Sequence, residues 1–108
     1  MSEKVVAIPS RAALEDIRKN CHSYQTRVCL LLREPLEPAD SRAQHLTEIY
    51  AIAGSLISII DEYMYDAGPD DEVYLTKVDL GPITSFTRAI ASAARLLRRE
   101  HNITLVTQ

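Results

Sequence analysis

Twelve consecutive residues, IYAIAGSLISII from Ile49 to Ile60, carry no charge, and any fold must shelter most of them from water. A membrane span needs about 20 apolar residues to cross the hydrocarbon core, so this stretch belongs inside protein. Its rhythm says how. Leu46, Ile49, Ala53, Leu56, Ile60 and Tyr63 recur at spacings of 3, 4, 3, 4 and 3, the signature of one helix face. Ile52, Ile57, Ile59 and Met64 widen that face to roughly half the circumference, more than a single neighbour requires. The helix is therefore expected at the centre, with partners on two sides.

Two further segments supply the partners. Leu14, Ile17, Cys21, Tyr24, Val28 and Leu31 repeat the 3-4-3-4-3 spacing. Ser10 after Pro9 is the expected N-cap of that helix, and Pro35 and Pro38 close it. Asp40 or Ser41 can cap the central helix, and Gly68-Pro69 ends it. Ile83, Phe86, Ile90, Ala93 and Leu97 form the third seam, with Pro82 expected in the first turn and Asn102 at the end. The expected helices run about 10–33, 40–66 and 82–101, joined by an acidic connection at 67–81 that has room for one helical turn near Val73–Val78. These describe one all-α domain, a three-helix antiparallel bundle. Two β-branched stretches, KVVAI and ITLVT, flank the outer helices and could pair as a short ribbon.

The far side of the central helix carries small residues: Ala51, Gly54, Ser55 and Ser58. Glycine weakens a helix by about 1 kcal/mol relative to alanine, so Gly54 calls for a packing reason. Small side chains permit close helix approach. A chain of 108 residues buries only a modest core. This face is therefore the expected interface of a homo-oligomer, a two-fold dimer being the commonest closed form.

Charge is unevenly placed. Residues 1–60 balance, residues 61–79 sum to −6, and residues 82–108 sum to +3. On the third helix Arg88, Arg95 and Arg99 fall opposite the apolar seam, a stripe about 16 Å long. Guanidinium forks suit carboxylates and phosphates. Tyr65 and Tyr74 flank the acidic connection and, with the arginines, make a composition common in binding hot spots. The plainest alternative is a solvated stripe whose charge the 61–79 segment complements. The net charge of −3 and the absence of a helix-turn-helix pattern argue against nucleic acid.

No glycine-rich phosphate loop, nucleophile elbow or metal-binding motif is present. DAGPDDE lacks the ligand spacing of a calcium loop. His22, His45 and His101 lie apart in sequence, with His45 and Glu48 spaced as a surface pair on one helix. Cys21 and Cys29 lie about 12 Å apart along a shared helix, too far for a disulfide. The opening residues do not form a secretory signal, so the cytoplasm is the expected compartment. The expected function is a non-enzymatic interaction protein, without cofactor or metal, that binds a partner protein as an inhibitor, adaptor or regulator. A nucleotide binder with an inter-subunit Arg/Tyr pocket and a DNA-binding regulator are the alternatives.

Overall fold

A computed structural model describes residues 6–33 and 41–105. The elements, in order, are β1 (Ile8–Pro9), α1 (Arg11–Leu32), α2 (Ser41–Ala67), β2 (Tyr74–Leu75) and α3 (Lys77–His101). The architecture is an all-α three-helix bundle: α2 runs antiparallel to α1 and to α3 and packs against both, while α1 and α3 barely touch. That arrangement explains the broad apolar face of α2. Leu46, Ile49, Ala53, Leu56 and Ile60 are all buried to 1% exposure or less, and Ile52, Ile57, Ile59 and Met64 pack beside them. Leu14, Cys21 and Val28 enter this core from α1, and Ile83, Ile90, Ala93 and Leu97 from α3. The seams lie where their spacing places them. Val73, Leu75 and Leu105, outside the helices, complete the core.

The start of α1 differs in mechanism from the sequence expectation. Ser10 stands at the N-cap position, but its hydroxyl donates to the Ile8 carbonyl at 2.8 Å and caps nothing. Its backbone N–H donates to Val73 O at 2.7 Å. The capping oxygen comes instead from Glu72, whose carboxylate accepts from Arg11 N at 2.8 Å and from Val73 N at 3.0 Å. The Arg11 guanidinium donates to the carbonyls of Gly68 and Asp71. The acidic connection is thus strapped to the N-terminus of α1, where negative charge is favourable to the helix dipole.

The strand pairing also differs. Ile8 and Pro9 pair antiparallel with Leu75 and Tyr74, not with the C-terminal stretch, where Ile103, Thr104 and Leu105 form no strand. Ile103 and Leu105 are drawn onto the helices instead, Leu105 at 2% exposure. Val6 and Ala7 are exposed and outside the strand, while Lys4, Val5, Val106, Thr107, the prolines at 35 and 38 and the cap at Asp40 lie outside the described residues.

Gly68 terminates α2 with φ of 93°, a left-handed conformation that a side chain resists. Helix α3 begins at Lys77, five residues before the expected start at Pro82. Thr76 caps it in a reciprocal box: Asp79 N donates to the Thr76 hydroxyl at 3.3 Å, and Thr76 N donates to the Asp79 carboxylate at 2.9 Å. Pro82 consequently lies in the second turn. Gly81 precedes it, and lacking a Cβ it relieves the clash that keeps pre-proline residues out of a helix. Asn102 closes α3 in the left-handed region, with Ile103 N donating to Leu97 O, and the chain turns back along the bundle.

Candidate functional site

The topology sorts the charges to opposite ends of the bundle. The end of α2, the connection and the start of α3 bring Asp61, Glu62, Asp66, Asp70, Asp71, Glu72 and Asp79 to one pole. Arg18 pairs with Asp61 there at 2.7 Å. Arg95, Arg98 and Arg99 occupy the last two turns of α3 at the other pole, about 24–30 Å from Asp79 by helix rise. The acidic segment therefore does not complement the stripe locally. Arg88, Arg95 and Arg99 are exposed as the spacing predicts, and none forms an ion pair among the described residues. Among the described residues Arg95 donates to Ser92 Oγ, at 3.4 Å.

Tyr65 and Tyr74 are exposed, at 87% and 62%, but they sit at the acidic pole. Tyr74 lies in β2, three residues before α3 begins, and Tyr65 lies one half-turn beyond Tyr63, whose hydroxyl donates to Asp79 at 3.1 Å. Within one chain the arginines and tyrosines form no common site. An Arg/Tyr pocket requires two copies.

On the outer face of α2, Ala51, Ser55 and Ser58 are exposed, whereas Gly54 is half-buried against α1. A Cβ on Gly54 would lie 3.2 Å from Gln25 Nε2, and that amide donates to Tyr50 O at 3.2 Å. Gly54 thus has a packing partner in its own chain. The Ser55 hydroxyl donates to Ala51 O at 3.2 Å, within its own helix.

Two constellations were not visible in the sequence. His45 approaches Glu100 at 3.5 Å, in place of the expected pairing with Glu48, and His101 lies 3.8 Å from the same carboxylate. Ser41 Oγ is 2.8 Å from His101 Nε2. Hydroxyl and carboxylate converge on the same ring nitrogen, while a nucleophile relay needs the carboxylate on the other one. The cluster ties the start of α2 to the end of α3.

The second is a groove of about 330 Å³ between α1 and α3. Ile17 and Tyr24 form one wall, Ala91 and Ala94 the other, and Leu56 of α2 the floor. Small residues on that flank of α3 leave the space between the outer helices unfilled. Cys21 also lines it, and burial pushes its thiol up to about 11, so it stays uncharged at neutral pH. Cys29 is exposed and also unbridged.

Among the described residues no helix is long and apolar enough to cross a membrane. No protein-family model, curated protein or solved structure matches the chain.

Proposed function

We propose that the chain is a non-enzymatic interaction protein of the cytoplasm that grips an acidic partner protein with the basic end of α3. The observation that supports this reading is the group Arg95, Arg98 and Arg99: three exposed guanidiniums without a carboxylate among the described residues, on a rigid helix. Such a cluster steers an anionic surface from a distance and then engages carboxylates in bidentate fashion. Replacing Arg95 and Arg99 by alanine abolishes capture of the partner from lysate while the circular dichroism spectrum and melting temperature are kept. Unchanged capture removes this surface from consideration.

The functional form in this proposal is a homodimer. Ala51, Ser55 and Ser58 give α2 an outer face on which a second α2 can lie closely. A two-fold axis across that face runs the two helices antiparallel and sets the basic pole of each copy beside the acidic pole of the other. It would also bring Tyr65 and Tyr74 of one copy toward the arginines of the other, the arrangement a nucleotide would need. Native mass spectrometry separates the cases: a bare dimer supports the protein-binding form, extra mass in the nucleotide range supports the ligand form, and a bare monomer overturns both.

A further inference from the structure

We propose that the groove between α1 and α3 binds a free single-chain alkyl carboxylate, with the tail along Ile17 and Thr87 and the head group at Arg98. The walls are apolar in fact as well as in composition. The Thr87 hydroxyl is turned away to its own helix, donating to Ile83 O at 2.7 Å, so the residue offers its methyl group. Cys21 is held as a neutral thiol by its surroundings. A volume of about 330 Å³ falls at the lower end for small-molecule pockets, which run from about 300 to 1,000 Å³.

Asn20 is the one amide on the α1 wall, and the charged groups of the lining are concentrated at one end. Arg95 and Arg98 border the groove where the chain folds back through Ile103, Thr104 and Leu105. Neither arginine meets a carboxylate among the described residues. Guanidiniums at the mouth of an apolar groove favour an anionic head group over an uncharged one and repel a cation. The wall from Ile17 to Tyr24 spans about 10 Å, and that from Thr87 to Arg98 about 16 Å. This is two to three turns, a length that one extended chain can follow with its head group at the arginines.

The inference shares Arg95 and Arg98 with the partner-binding reading but rests on the apolar groove beside them, and Ala91→Leu, which alters neither arginine, blocks the groove alone. The probe is decanoate below its aggregation threshold, with decanol and decyltrimethylammonium for comparison, followed by calorimetry and methyl NMR of the full chain. The expected result is saturable one-to-one binding of decanoate, with shifts centred on Thr87, Ala91 and Ala94. Arg98→Gln weakens it by about tenfold, the loss of a charge-assisted pair. Ala91→Leu, an exposed position, fills the groove and blocks binding while the melting temperature is retained. Absence of saturable binding, shifts centred elsewhere, or undiminished binding to Ala91→Leu overturns the site. Equal affinity for decanol, or an unchanged affinity in Arg98→Gln, overturns the assignment of an anion.

Discussion

Glu72 and Asp79 each hold a helix N-terminus, and both carboxyls lie below their ordinary range. For Glu72 the largest cause is the hydrogen bond from the Arg11 backbone, and for Asp79 that from the Thr76 backbone. A carboxyl whose folded pKa is depressed adds stability above its unfolded value, roughly pH 4. That stability is lost as pH falls through the lower folded value. Thermal melts between pH 7 and pH 2.5 should therefore show Glu72→Gln melting lower than the parent at pH 7 and losing less on acidification. Parallel curves for the two proteins would mean that Glu72 does not cap α1. Burial acts at the same scale with larger effect. Ile60 is fully buried, and Ile60→Ala should cost about 2–5 kcal/mol in urea denaturation, the range for a large-to-small core change.

At the scale of elements, what the sequence disclosed and what it hid follow from different physics. The three seams were legible because a helix repeats its buried face every three or four residues, and Leu46 to Ile60 obey that rule without a break. The start of α3 was legible too: Thr76-Lys77-Val78-Asp79 is a capping box, but Pro82 is the louder signal and it drew the boundary five residues late. Glu72 as a cap could not be read locally, since its partner Arg11 is 61 residues away. The groove was invisible for a similar reason, being a gap between α1 and α3 that depends on how α2 spaces them. Two substitutions test this account. Pro82→Ala should stabilise α3 by roughly 1–3 kcal/mol, because it restores a donor inside the helix. Gly54→Ala should stabilise by up to about 1 kcal/mol, because the atom its Cβ meets is the far end of the half-buried Gln25 side chain, which can shift by a few tenths of an ångström. A loss of stability in Gly54→Ala would show that Gln25 cannot move aside and that the α1–α2 contact there is rigid.

The whole molecule measures 56 × 32 × 23 Å, and its charge follows its long axis. The acidic pole is neutralised only in part by Arg11 and Arg18, and the basic pole carries three arginines on one helix end. Poles so placed set the geometry of any self-association. Parallel copies would put like charges side by side, whereas an antiparallel two-fold pair puts each pole against its opposite. Charge exchange makes this testable. In Arg95→Glu/Arg99→Glu both poles become acidic, and in Glu62→Lys/Asp66→Lys/Asp70→Lys/Asp71→Lys both become basic. The first variant alone meets repulsion at both ends of the antiparallel pair and should sediment as a monomer at low salt, and so should the second, whose 61–79 segment passes from −6 to +2. Mixed in equal amounts, they meet attraction at both ends and should form a heterodimer. Raising the salt to about 1 M, where the screening length falls to roughly 3 Å, should erase the difference. If the mixture stays monomeric while the parent dimerises, the two poles do not face each other, and the α2 face would have to pair in another orientation.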